Sequence, residues 1–397
     1  MTAVLAALTG LLACVGVLQA LFASRLVVRF SRSPRLPPAE LPPITVLKPL
    51  YGDEPLLEDA LATLCTQDYP AYQIIFGVQR ADDPAIAVVR RLQHRFPSAD
   101  ILFVFDPAYH GRNRKVGNLI NMVRAARHDV VVIADSDVHA RPDYLVRLVA
   151  ALGAPGVGLV TTLYAGLPAS SSLAAALGAT QITHVFLPSA VLARFIGRRD
   201  CLGATMCLRR ANLEAIGGLH ALVDHLADDN VLGRRVAALG LEVALADTVP
   251  LTTVPESGLA ALFRHELRWA RTIRALEPAG FAASVLQYPL FWALLALLFS
   301  GFAAWSLALF VVIWLLRALA ALSVDQALAT DWQGDDKATL AFSCPVWLLP
   351  LRDTLSVVVM LASYGSRHVE WRGFALHADS GERSLGASGP TEDIETQ

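Results

Sequence analysis

The chain carries no charged residue from Ala3 to Ala23, and none again from Phe281 to Leu316. A bilayer core takes about 20 apolar residues per helix, so the first stretch suits one membrane span and the second is long enough for two. Ala338 to Ser363 is apolar too, but Pro345, Pro350, Arg352 and Asp353 interrupt it, as expected for a broken or re-entrant segment. These stretches set expected boundaries at 1–24, 281–324 and 338–363. They also explain the composition, 54% hydrophobic and 17% charged over 397 residues, where a soluble domain carries about 25% charged.

A removable signal peptide is the alternative for the first stretch. Basic residues would then precede it, whereas Arg25, Arg29, Arg32 and Arg35 follow it. The same lack argues against a lipoprotein cleavage site at Leu11–Cys14. Arginines after the span place the next region in the cytoplasm, and five scattered cysteines without a CxxC pair suit a reducing compartment. A formal net charge of −2 gives no pointer to nucleic acid, and no protein partner is indicated.

Residues 25–43 form a proline-rich linker, after which strand-like and helix-like runs alternate. Ile44–Leu50, Tyr72–Gln79, Ile101–Phe105 and the run from Val130 are apolar and β-prone. Pro55–Gln67, Pro84–Phe96 and Lys115–Arg127 are helical between them. Such alternation implies βαβ units and a mostly parallel sheet. Glycines break the pattern around Gly153–Gly166 and Gly197–Gly218. Residues 376–397 are polar and expected to be disordered.

The strand VVVIADSDVHARP (Val130–Pro142) is continuously apolar, as a strand buried on both faces must be. It runs into Asp135 and Asp137 at its C-terminal end, where open α/β sheets bind ligands. Two carboxylates so close repel unless a cation lies between them, and a hard divalent metal does that well. The plain alternative is a solvated turn in which one aspartate caps the next helix.

Other polar clusters are individually weak. Asp82 and Asp83 precede Pro84, an arrangement suited to capping a helix or to holding part of a nucleotide. Arg112, Arg114 and Lys115 precede a helix and suit a phosphate-bearing ligand, Lys115 being the expected contact. Asp228 and Asp229 lie at a helix start, where the dipole alone favours acids. Arg264, Arg268, Trp269 and Arg271 sit just before the membrane segments, where basic residues also bind headgroups.

Taken in order, VLKPL, QDYPAY, VQRADDPA, KVGNLIN, ADSD, VGLVT, CLGATMCLRR, ADDN and RHELRW resemble the family-2-type inverting glycosyltransferases of GT-A fold. Within that class they resemble ceramide glucosyltransferases and bacterial hopanoid-biosynthesis glycosyltransferases. The resemblance runs from Val46 to about Arg274. It implies a GT-A (Rossmann-like) catalytic domain at 44–275 with an RxxRW element near its end, anchored by N- and C-terminal transmembrane helices in a bacterial inner membrane. It also implies transfer of one sugar, N-acetylglucosamine or glucose, from a UDP-sugar to a lipid hydroxyl with inversion. A hopanoid polyol is the expected acceptor, with ceramide as the alternative.

Matched residue by residue, Asp83 would contact the nucleotide, and Asp135 and Asp137 would hold Mg²⁺ or Mn²⁺, Asp135 also meeting the donor. Asp229 would be the general base, with Asp228 beside it as a helix cap. Arg264, Arg268 and Trp269 would form the RxxRW element. Asp137 departs from animal ceramide enzymes, which keep only the first acid of the pair, and Asn230 stands where an aromatic residue is common. The chemistry is coherent: a metal neutralises the leaving diphosphate, arginine forks grip phosphate, and a carboxylate takes the proton of a weakly nucleophilic hydroxyl. Three competing readings are a processive polysaccharide synthase, a haloacid-dehalogenase-type phosphatase and a non-catalytic transporter. The phosphatase lacks its Thr-Leu pair after the Asp-x-Asp, and a transporter has only Arg352 and Asp353 as intramembrane charges.

Overall fold

The computed structural model describes residues 1–35 and 37–366, together with the backbone of 368–371 and 374–377. Of the tail expected at 376–397, all but residues 376 and 377 therefore lie outside the described residues. Helix α1 (Thr2–Ser31) leads into β1 (Ile44–Pro49), α2 (Leu57–Leu64), β2 (Tyr72–Val78), α3 (Ala85–Arg95), β3 (Ile101–Phe105), α4 (Arg114–Val123) and β4 (Val130–Ala134). The chain continues through β5 (Val138–His139), α5 (Tyr144–Leu152), β6 (Val157–Thr161), β7 (Ala165–Pro168) and α6 (Leu173–Gln181). A π turn (Ile182–Phe186) joins α6 to α7 (Leu187–Phe195), followed by β8 (Thr205–Arg209), α8 (Arg210–Ala215), α9 (Asp228–Ala238), β9 (Glu242–Leu245) and β10 (Leu251–Val254). The last elements are α10 (Leu259–Leu276), α11 (Pro278–Ala283), α12 (Pro289–Phe299), α13 (Ala304–Ala329), α14 (Asp336–Ala341), α15 (Leu349–Ser363), β11 (His368–Trp371) and β12 (Phe374–His377).

Seven strands form one sheet in the order β3-β2-β1-β4-β8-β6-β9. The first four are mutually parallel, and β8 is antiparallel to both its neighbours. Alternate side chains leave a strand on opposite faces, and β4 shows why its run is unbroken. Val130, Val132 and Ala134 enter one core with α2, α3 and α5, while Val131 and Ile133 enter the other with α4, α8 and α9. Both faces being covered, no position of this strand can be polar until it leaves the sheet, and there the aspartates begin. A second sheet, β5-β10-β7, closes over that end.

The C-terminal apolar region, where two spans are expected at 281–324, holds a bent helix pair followed by one long helix. Its first part is bent by 64° between Pro278–Gln287 and Pro289–Phe299. An 11-residue α12 rises about 16 Å at 1.5 Å per residue, short of the roughly 30 Å core. The cause lies at Pro289, which cannot continue a preceding helix, and at buried Asp353, whose Oδ2 accepts from the Leu290 N–H (3.1 Å) to start a new one. Only α13 is a full-length helix here, and it continues past 324. The third segment is broken between α14 and α15, around Pro345. One apolar helix was not foreseen: Leu173–Phe195 is long enough to cross a membrane but is largely buried against the domain. Close packing of α1 on this bundle rests on Gly16, where a Cβ would stand 2.3 Å from the Leu286 carbonyl oxygen.

Candidate active site

The C-terminal end of β4 gathers charge from four elements. Lys48 of β1 is fully buried, and its ammonium donates to the main-chain carbonyls of Asp135 and Val138. Burial lowers its pKa to about 8, against the pull of Asp137, Asp135 and Glu54. Asp135 Oδ1 lies 2.6 Å from Lys115 Nζ at the start of α4, and the same ammonium is 3.8 Å from Asp228 Oδ2 at the start of α9. Burial alone would lower Lys115, but Asp135, Asp228 and Asp229 outweigh it and hold the amine charged. Asp137 is fixed by the Thr252 hydroxyl of β10 (2.5 Å). Its carboxyl lies above the ordinary range because of burial and then Asp135, with Thr252 and Lys48 opposing. The two aspartates flank a turn but neither caps a helix, each carboxylate being held instead by a partner from another element.

Asp228 is not a helix cap either. Its carboxylate is buried, accepts from Asn113 Nδ2 (3.1 Å), and pairs with Lys115. Asn113 is itself the N-cap of α4, its side chain accepting from the Val116 N–H, so the two helix starts are tied together. Asp229 Oδ1 accepts from the Asn230 N–H (2.8 Å). Its other oxygen faces Gly203, where a Cβ would stand only 2.8 Å away, so the β8-side loop can approach this carboxylate only as glycine. Burial and then Asp228 raise the Asp229 pKa to about 7, despite Lys115.

Asp83 sits apart from this cluster. It is 5% exposed, and it accepts from the Gly52 N–H (3.0 Å) and the Ala85 N–H (3.0 Å). It therefore clamps the β1–α2 loop to α3 through backbone contacts, while the neighbouring Asp82 is exposed and paired with Arg80.

The RxxRW element lies on α10. Arg264 is exposed, and Arg268 and Trp269 are half-buried. Trp269 stacks edge-on with His265 (4.5 Å), which pairs with Glu256, and it packs near Tyr164 and Phe186 against Ile182 and Val254. Tyr164 is the link to the carboxylates, since burial and the charges of Asp229, Asp135 and Asp137 push its phenol well above its usual range. Tyr164 and Lys48 were both missed as site residues in the sequence. A lysine inside the apolar run ITVLKP was the available signal for Lys48, whereas nothing marks Tyr164. Glu266, on the same helix, forms a buried bidentate pair with Arg352 of α15 (both 2.7 Å).

The donor set fits a hard divalent cation. Asp135, Asp137, Asp228 and Asp229 bring four carboxyl groups against two ammonium groups, and the mutual repulsion that raises Asp137 and Asp229 is what a bound cation would relieve. Among the described residues, the group of three ligating side chains lies elsewhere, at His184, Asp325 and Cys344. There the Arg317 guanidinium bonds the His184 carbonyl (2.9 Å) and would oppose a further cation.

Comparison with known proteins agrees with this architecture. The family model described as glycosyl transferase family 21 matches residues 8–384, and the chain belongs to that family. It is 24% identical over 63% of its length to ceramide glucosyltransferase 1 of Caenorhabditis elegans, covering 54% of that protein. It is 21% identical over 87% of its length to ceramide glucosyltransferase 3 of the same organism, covering 75% of it. The chain thus spans about half the length of the first of these relatives. Among solved structures, the mannosyltransferase PcManGT from Pyrobaculum calidifontis, in complex with GDP-Man and Mn²⁺, superposes with a TM-score of 0.54 at 21% identity. The match covers 92% of this chain and 99% of that one, and it establishes the GT-A-type fold.

Proposed function

We propose that this family 21 member is a membrane-anchored, inverting glycosyltransferase that moves one sugar from a UDP-sugar to a lipid hydroxyl. The observation that carries the reading is the convergence of Asp135 and Asp228, far apart in sequence, on Lys115, with Asp229 acting on the same ammonium and Asp137 on Asp135. Asp135 and Asp137 would hold Mg²⁺ or Mn²⁺, and such an ion supplies charge neutralisation to a leaving diphosphate. Lys115, with Arg264 and Arg268, would receive the donor's phosphates. Asp83 would shape the nucleotide pocket through the loop it clamps.

Asp229 is the base. A carboxylate with a pKa near 7 is about half deprotonated at neutral pH and drives proton removal better than an ordinary one. Asp228 is unsuited, being held by Asn113 and Lys115. A single base without a second nucleophilic carboxylate implies single displacement and inversion. Trp269, with Tyr164 and Phe186, would wall the acceptor side.

Arg25 and Arg29 near the end of α1, with Arg32 and Arg35 just beyond it, support a cytoplasmic orientation of the domain, and the resemblance adds a bacterial inner membrane to the reading. For the acceptor, the motif resemblance favours a hopanoid polyol carrying N-acetylglucosamine, while the named relatives favour ceramide carrying glucose. The test is the purified protein in lipid vesicles with labelled UDP-glucose or UDP-N-acetylglucosamine and either acceptor. A singly glycosylated lipid is expected; label in a polymer, or in no lipid at all, would overturn the reading.

A further inference from the structure

Beneath the catalytic domain, α1, the π turn, α7 and α13 line a partly open cavity of ≈ 30 Å³ whose polar lining is Gln19, Ser24, His184, Ser189, Gln287 and Arg317. Its depth is set by packing. Val27 of α1 and Val324 and Leu328 of α13 meet Leu163 and Leu251 of the domain, so the cavity lies at the end of the bundle adjoining the domain. That is the level at which a lipid's polar head meets the membrane surface. Polar and ionisable side chains are costly inside an apolar bundle and mark function there.

Two of them are incompletely satisfied. Arg317 is 3% exposed and donates through Nη2 to the His184 carbonyl, but its Nε makes no hydrogen bond, and the Asp353 carboxylate is 3.9 Å from it. His184 is 5% exposed. Asp325 Oδ1 lies 3.2 Å from its Nε2, while Nδ1 has no partner. The Asp325 contact makes no hydrogen bond, so the unpartnered Nδ1 of the neutral ring accepts or donates according to the tautomer. Two residues lining the cavity thus carry unsatisfied nitrogens, the Arg317 Nε–H and the His184 Nδ1, with Asp325 and Asp353 balancing the local positive charge. An uncharged hydroxyl, which donates and accepts at once, is the complementary group.

We propose that this cavity holds a non-reacting hydroxyl of the acceptor lipid, an anchor separate from the hydroxyl that reacts at Asp229. The inference rests on the lipid-acceptor reading above. The π turn connects the two sites: His184 lines the cavity, and Phe186, two residues on, stacks on Tyr164 (4.8 Å) beside the carboxylates. A π turn inserts a residue into a helix and commonly marks such places.

The experiment uses the full chain in vesicles, with a short-chain ceramide or bacteriohopane polyol, whichever the wild type glycosylates. Its counterpart reduced to the single reacting hydroxyl is the second acceptor. The wild type should show a KM at least about tenfold higher for the reduced lipid, with the UDP-sugar KM unchanged. Ala320→Leu, which fills the cavity from α13 without touching the catalytic groups, should erase that preference. Equal KM values for the two lipids in the wild type would overturn the proposal and leave the cavity to water. So would a preference that survives Ala320→Leu. If that variant does not fold, the wild-type comparison decides alone. Absence of any lipid product from the wild type would instead overturn the lipid-acceptor reading, and the anchor with it.

Discussion

Replacing Glu266 by Ala removes one half of the buried pair that joins the RxxRW helix to the last membrane segment. Arg352 is fully buried, and after the change its guanidinium keeps only the Leu177 carbonyl (3.2 Å) and the Ser356 hydroxyl (3.2 Å). Breaking a buried pair in this way costs about 3–5 kcal/mol, because a desolvated charge is left without its partner. Replacing both residues by apolar ones of similar size, Glu266→Leu with Arg352→Met, avoids that penalty and is expected to cost less than about 1.5 kcal/mol. The assay is equilibrium unfolding in mixed micelles, followed by tryptophan fluorescence, on the wild type, both single variants and the double variant. A single-variant loss below about 1 kcal/mol, or a double variant as unstable as the sum of the singles, would refute the reasoning.

Three further outcomes are expected. Gly203→Ala places a methyl group 2.8 Å from Asp229 Oδ2, so turnover should fall at least about tenfold while the melting temperature moves little; unchanged turnover would contradict the crowding. Because Asp229 must be deprotonated to act and its pKa is about 7, kcat should fall about tenfold per pH unit below that value, and a flat profile from pH 5 to 8 would exclude this group. Asp135→Asn and excess chelator should each remove most activity while leaving the fold intact by circular dichroism, and full activity in chelator would refute the metal's part.

The parallel half of the sheet was legible because apolar β-prone runs at Ile44, Tyr72, Ile101 and Val130 alternate with amphipathic helices, a pattern that physical chemistry ties to one arrangement. The switch to antiparallel β8 was not, since pairing direction leaves no trace in a short apolar run such as TMCLR. In the membrane region, length and hydrophobicity located the apolar stretches. The bend at Pro289 depends on a long-range bond from Asp353, which no local pattern reveals. At the site, adjacent acids were visible, but the partners that separate them were not. Asp228 was read as a cap because helix starts favour acids, whereas its bonds to Asn113 and Lys115 come from the fold. Tyr164 joins the cleft only because β6 and β7 bring its loop beneath α10.

The central claim is that Asp229 removes the proton of an acceptor hydroxyl, and it is tested most directly by turnover and UDP-sugar affinity of Asp229→Asn beside the wild type. A base that acts only in the transition state contributes to kcat rather than to donor binding. The expected result is a loss of about 10²–10⁴-fold in kcat with donor affinity within about threefold of the wild type. An Asp229→Asn enzyme that turns over normally would contradict the account.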